Sequence, residues 1–125
     1  MNRVPYLLLL LALACDREQP AAPKPQASAP ASDPHATARQ LMTQYGCNVC
    51  HVIPGIEGAQ GSLGPSLAGI ASRPTLSEAS VQNTPANLAQ FIRTPASLNP
   101  QTSMPPIAMT DAEAQTIAAY LLTLE

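Results

Sequence analysis

The chain has 125 residues, a formal net charge of −2 and only four aromatic side chains, three Tyr and one Phe, with no Trp. This length suits one compact domain with accessory segments and is too short for two ordinary domains. Without a basic excess, the chain does not have the composition of a nucleic-acid-binding protein. Because so few aromatic rings offer little bulk for a core, the composition favours a domain built around a large buried group.

The first fourteen residues have the pattern of an export signal. One positive charge at Arg3 precedes a leucine-rich run, and an Ala-Leu-Ala cleavage pattern stands directly before Cys15. The apolar run is too short to span a bilayer. We therefore predict that residues 1–14 are a signal peptide and that the protein is exported.

The cysteine that follows this signal has its own explanation. Residues 11–15, Leu-Ala-Leu-Ala-Cys, resemble a bacterial lipobox, whose cysteine is lipidated and becomes the first residue of the mature protein. Lipidation of Cys15 also accounts for the odd cysteine, since three cysteines cannot all pair. Asp16 resembles the residue that retains lipoproteins at the inner membrane, which predicts a location on the periplasmic side of that membrane. The alternative is ordinary cleavage that releases a soluble protein. Mass spectrometry distinguishes the two, because it shows whether Cys15 carries a lipid group.

Residues 15–34 combine the anchor cysteine with a stretch rich in proline and alanine. Such a composition cannot bury a core and favours extended chain, so we predict a tether. At about 3 Å per residue, it would reach on the order of 50 Å from the membrane. Residues 35–125 then form the predicted folded domain.

Helical patterns begin where the tether ends. Asp33 followed by Pro34 predicts the N-cap of a first helix that runs to about Tyr45. The glycine-rich residues 55–64 predict a loop, and a short turn of helix is expected in residues 66–71.

Two further helices are predicted in the second half of the domain. Thr84 with Pro85 marks the start of a short helix that Pro95 stops. Thr110 and Glu113 form the capping-box pattern of a last helix. No stretch alternates apolar and polar residues for long enough to predict a strand, so we expect an all-α domain of three to four helices.

The sequence Cys-Asn-Val-Cys-His, from Cys47 to His51, is the signature of covalent haem attachment. Its spacing places the thiols of Cys47 and Cys50 where they can add to the two vinyl groups of one haem, with His51 as the proximal iron ligand. A zinc site is a weaker interpretation, since the domain offers only His35 beyond this cluster. A thioredoxin-like dithiol would need a βαβ context. We predict one covalent haem c with its iron.

A second iron ligand is expected from Met104 or Met109, because Met42 lies in the first helix. A Pro-Pro pair follows Met104 and stiffens its loop, so that its thioether can be presented to iron at small entropic cost. Met109 directly precedes the last helix, where a residue usually packs against the first turn. We predict His51 and Met104 as the axial pair, which raises the potential, leaves no open iron site and favours electron transfer over catalysis.

Together these features resemble a class I cytochrome c, over most of residues 35–125. The resemblance implies an all-α fold wrapped around one haem, and a single-electron carrier rather than an enzyme. The segment from Gly64 to Gly69 is similar to the family segment in which a proline carbonyl accepts a hydrogen bond from the ligand histidine. Pro65 would thus orient His51.

The same resemblance implies that Arg73 binds a haem propionate, a role that suits a guanidinium. A plain surface arginine is the alternative, and Asn83 is a weaker candidate for the propionate partner.

The implied task is to relay electrons between a membrane or periplasmic donor and an acceptor such as a terminal oxidase. Residues 35–125 contain no lysine, so docking through a lysine ring is not expected, and the apolar rim around the haem edge is the predicted docking surface. Two alternatives stay open: a haem-bearing subunit of a larger oxidase or dehydrogenase, and a haem-based ligand sensor whose Met104 bond breaks readily.

Overall fold

The computed structural model describes residues 33–77 and 81–125. The predicted signal peptide, the lipidation of Cys15 and residues 16–32 of the tether lie outside the described residues. The described residues form helices, one 3-10 turn and two short strands: α1 (Ala36–Gln44), α2 (Cys47–Cys50), the 3-10 turn (Ile70–Ser72), β1 (Thr75–Leu76), β2 (Val81–Gln82), α3 (Pro85–Arg93), α4 (Pro95–Leu98) and α5 (Asp111–Leu121).

The all-α prediction is confirmed, but the described ranges hold five helices rather than three to four, because α2 and α4 are single turns of four residues. None of the helices in the two described ranges has the length and apolar character needed to cross a bilayer.

The core lies where α5 packs against α1 and α3. Ala114 and Ala118 on α5 are 0% and 1% exposed, and their small side chains let the neighbouring helices approach closely. Ile117 of α5 and Met42 of α1 are equally buried, each with 1% of its surface exposed. The last helix, α5, therefore provides the surface against which α1 and α3 both pack.

The capping box predicted for α5 is confirmed. Thr110 Oγ1 accepts a hydrogen bond from the Glu113 N–H at 3.3 Å, and Glu113 Oε2 accepts one from the Thr110 N–H at 2.8 Å. The Thr110 N–H and, at 2.7 Å, the Thr110 hydroxyl both donate to Glu113 Oε2, and these two bonds hold the pKa of the Glu113 carboxyl below its usual value. The stabilisation is therefore present above the ordinary carboxyl pKa and is lost as the pH falls through the lowered one. The cap predicted at Thr84 is likewise present, with Thr84 Oγ1 accepting from the Asn87 N–H at 3.2 Å.

The predicted start of the first helix was wrong by two residues. The N-cap is His35, and the Asp33 carboxylate instead accepts a hydrogen bond from the His35 N–H at 2.9 Å. The same carboxylate pairs with the Arg39 guanidinium. Asp33 therefore closes a turn in front of the helix, because a short carboxylate can bond the backbone two residues on as readily as it caps.

The predicted end of the helix that starts at Pro85 is confirmed, since α3 ends at Arg93, just before Thr94 and Pro95, and Pro95 also begins α4. Two other predictions differ from the structure. The helical turn expected in residues 66–71 is a 3-10 turn that starts at Ile70. The expectation of no strand was wrong, since β1 and β2 pair antiparallel with Thr75 opposite Gln82. Strands of two residues are too short to leave an alternating pattern.

Tyr120 of α5 ties the helices to the loop that follows the haem motif. Its ring is 4% exposed, and its hydroxyl donates to the Pro54 carbonyl oxygen at 2.6 Å. The His35 ring lies 5.4 Å from it, and the Arg39 guanidinium stands 5.7 Å from its centroid. Tyr120 thus fixes where the loop of residues 55–64 begins.

Candidate haem site

The attachment motif forms its own short helix, α2. Gly46 precedes it with a left-handed φ of 73°, which glycine adopts without strain. The His51 N–H donates to the Cys47 carbonyl oxygen at 3.0 Å, and the extended backbone of His51 ends the helix. Cys47 and Cys50 are unpaired, half-buried and three residues apart, and both line one cavity. Burial raises the pKa of the Cys47 thiol, which keeps the free thiol protonated at neutral pH.

The His51 ring is held in one orientation by Pro65. His51 Nδ1 lies 2.7 Å from the Pro65 carbonyl oxygen. A carbonyl oxygen can only accept, so Nδ1 carries a proton, and the neutral ring keeps its lone pair on Nε2. The contact that the resemblance implied for Pro65 is therefore present, and it leaves His51 in the tautomer that a metal-binding imidazole needs.

Two glycines let the loop of residues 55–64 lie directly on the attachment segment. A Cβ at Gly64 would stand 2.4 Å from His51 Cε1 and 2.7 Å from Nδ1. A Cβ at Gly61 would stand 2.3 Å from the Val49 carbonyl oxygen. Neither glycine has a positive φ, so the requirement is close approach rather than backbone conformation. The Gly64 N–H also donates to the Cys50 carbonyl oxygen at 2.8 Å, which fixes the crossing.

The cavity over His51 has a volume of about 510 Å³. Its walls are mostly apolar and come from α1, α3, α5 and the loops on either side; they include Leu67, Ile70, Leu88, Phe91, Ile92 and Leu121. The cavity therefore offers an apolar space next to two thiols and an imidazole.

The two candidate methionine ligands lie in different environments. Met104 is half-buried and lines the cavity, on the loop between α4 and α5. Met109 is 7% exposed and belongs to the hydrophobic core, as predicted for a residue that packs before a cap. Met42 also lines the cavity, but it is 1% exposed within α1 and belongs to the core. Met104 is thus the cavity-lining methionine that sits on a loop.

Arg73 lines the same cavity, and its Nη2 donates to the carbonyl oxygens of Ser66 and Ala68 at 2.6 and 2.9 Å. Its Nε and Nη1 make no hydrogen bond to the described residues, so part of the guanidinium is available to an anion in the cavity. Asn83 does not line the cavity. Its Nδ2 donates to the carbonyl oxygens of Ile70 and Arg73, which makes it a brace behind Arg73 rather than a ligand-facing group.

This donor set fits haem c. Two thiols, an imidazole with Nε2 available, a thioether and a guanidinium surround one apolar space. No group of three His, Cys, Asp or Glu side chains lies close enough to hold a metal ion within the described ranges. The haem signature predicts the thiols and the imidazole, whereas Gly61 was missed. Its only sequence signal is the glycine spacing within residues 55–64.

The comparisons with known proteins agree with this geometry. The family model described as Cytochrome c matches residues 35–125. Among curated proteins, none matches the chain. Because the family match takes in the attachment motif, the cavity and every described helix, the chain belongs to the cytochrome c family, whose members bind haem c covalently and transfer electrons.

Proposed function

We propose that this protein is a single-electron carrier in a bacterial respiratory or periplasmic chain, with His51 and Met104 as axial ligands of its iron. One observation carries the proposal: an oriented imidazole and a loop-borne thioether line the same cavity as the two thiols. Met109 and Met42 belong to the packed core, which leaves Met104 as the favoured partner.

Haem iron, when bound, supplies a centre that gains and loses one electron. The residues around it determine what that centre can do. With His51 and Met104 both ligating, no coordination site is left for a substrate, so the arrangement favours a carrier over an enzyme. Thioether ligation favours the reduced iron, and the apolar walls exclude water, so both raise the reduction potential.

The experiment that tests this proposal is a spectroscopic redox titration of the purified holoprotein. We expect one single-electron transition with a clearly positive midpoint potential. A strongly negative midpoint would contradict Met104 ligation and favour the ligand sensor, and carbon monoxide binding to the reduced native protein would then be expected.

The docking surface proposed for redox partners is the apolar rim formed by Val49, Val52 and Leu63. These side chains are 65%, 41% and 80% exposed. They belong to one region, since a Cβ at Gly61 would contact the Val49 backbone and Val52 pairs with Gln60 of the same loop. Leu63 also lines the cavity. Partners with an apolar face of their own, such as a membrane-bound oxidase, fit this rim.

The charges of the domain do not favour strong electrostatic steering toward a redox partner. Residues 35–125 contain three arginines and no lysine. Arg39 and Arg93 pair with Asp33 and Asp111, and Arg73 bonds to backbone carbonyls. Of the arginines in the described ranges, only Arg73 has no carboxylate partner, and Arg73 lines the cavity.

We therefore expect electron transfer to isolated host membranes to change less than about threefold between low salt and about 0.2 M salt, whereas steered pairs change far more. Leu63→Ser should lower the rate several-fold, and Gln40→Ala, an exposed change on α1, should leave it unaltered. A steep fall with salt, or a Leu63→Ser variant as fast as Gln40→Ala, would contradict docking through the apolar rim. Purification with a stoichiometric companion would favour the larger-complex alternative.

A further inference from the structure

We propose that Arg93 is a positioning residue that holds the segment of residues 102–109 against α3 and thereby keeps Met104 at the cavity. This inference rests on the proposed ligation by Met104. Arg93 itself does not line the cavity, so it would act through the backbone of the segment rather than on the iron.

Both the main chain and the side chain of Arg93 form hydrogen bonds with the segment of residues 102–109. Its carbonyl oxygen accepts a hydrogen bond from the Ile107 N–H at 3.1 Å, and its Nε donates to the Met109 carbonyl oxygen at 3.1 Å. Its Nη1 bonds the Asp111 carboxylate in the first turn of α5. Every hydrogen bond between α3 and residues 102–109 is therefore made by Arg93.

The residues between this anchor and Met104 are stiff. Only Pro105 and Pro106 separate Met104 from Ile107. Proline fixes φ and has no N–H to donate, so the pair acts as a short strut that carries the position of Ile107 to Met104. On the N-terminal side, the Met104 N–H donates to Thr102 Oγ1 at 3.2 Å, a bond within the same loop. The strut from the Arg93 anchor is thus the stronger constraint on where Met104 sits.

The bond to Ile107 uses the main-chain carbonyl and remains in any Arg93 variant, so loss of the side chain removes the bonds to Met109 and Asp111 that hold the end of the segment. We expect this loss to let Met104 leave the iron more often, so that an added ligand competes more effectively. An added ligand binds only when Met104 has left, so its apparent affinity scales with the fraction of molecules in that state. A hydrogen bond from a charged group is worth more than a neutral one, but the Arg93 side chain is 37% exposed, which weakens it. We expect the open fraction to rise about tenfold when the side chain is replaced.

The test is a titration of the ferric holoprotein with imidazole, together with amide hydrogen exchange at Ile107. Arg93→Gln should bind imidazole about tenfold more tightly than the wild type and exchange Ile107 faster. Arg93→Lys should lie between them, because one ammonium cannot reproduce the guanidinium fork. Arg39→Gln is the matched control, since Arg39 is 28% exposed, pairs with Asp33 and does not line the cavity. It should match the wild type.

The outcomes separate this inference from the proposed function. If Met104→Ala binds imidazole no more tightly than the wild type, Met104 is not the ligand and the proposed function fails. If Met104→Ala opens the iron but Arg93→Gln and Arg93→Lys both behave as Arg39→Gln does, the ligand is right and the role of Arg93 is overturned.

Discussion

Replacement of Met104 by alanine is expected to lower the midpoint potential by a few tenths of a volt, because axial-ligand identity spans about 0.8 V among haem proteins. Alanine removes the thioether that favours the reduced iron and leaves one axial position without a protein ligand. The same variant should therefore bind imidazole and carbon monoxide readily. Redox titration and ligand titration of the holoprotein measure the two effects.

Met109→Ala is the matched control for this prediction. Met109 is 7% exposed in the core, so its truncation should cost about 2–5 kcal/mol of unfolding free energy and leave the potential nearly unchanged. Denaturant unfolding measures that cost. The reverse pattern, with the potential falling in Met109→Ala and not in Met104→Ala, would show that Met109 is the ligand.

Gly64→Ala is expected to disturb the proximal side of the iron. The added methyl carbon would stand 2.4 Å from His51 Cε1, so either the ring or the loop must move, and the 2.7 Å contact between Nδ1 and Pro65 is lost or lengthened. Overpacking of this kind typically costs about 1–3 kcal/mol. We expect a lower yield of holoprotein, a shifted midpoint potential and a lower melting temperature in the fraction that does form.

Gly58→Ala separates the crowding of His51 from the general cost of replacing a glycine in this loop. Gly58 has a φ of 74°, and a Cβ there would meet nothing within 4 Å. Its replacement should cost about 1 kcal/mol of backbone strain without altering the potential or the haem spectrum. If Gly58→Ala and Gly64→Ala shifted the potential equally, the effect would come from loop strain rather than from contact with His51.

The parts of the fold that could be predicted from the sequence are those determined by neighbours a few residues apart. The capping box from Thr110 to Glu113 spans four residues, and the attachment motif from Cys47 to His51 spans five. Both are present in the structure. The contact between Pro65 and His51 joins residues fourteen apart, and only the family resemblance pointed to it.

The features that the sequence did not predict depend on longer separations or on local competition. Arg93 meets Met109 across sixteen residues, and nothing near Arg93 in the sequence marks it as an anchor. The Asp33 carboxylate could cap the first helix or close the turn before it. The position of Arg39 and the packing of α1 decide between these two arrangements. The pairing of β1 with β2 is likewise a tertiary contact.

The contact between His51 and Pro65 has one further consequence, for protons rather than for geometry. The Nδ1 proton is held by an oxygen that can only accept, so the ring has no second tautomer to adopt while that contact lasts. Gain or loss of an electron can then leave this proton where it is. With His51 as the proposed iron ligand, electron transfer would require no proton uptake at this imidazole.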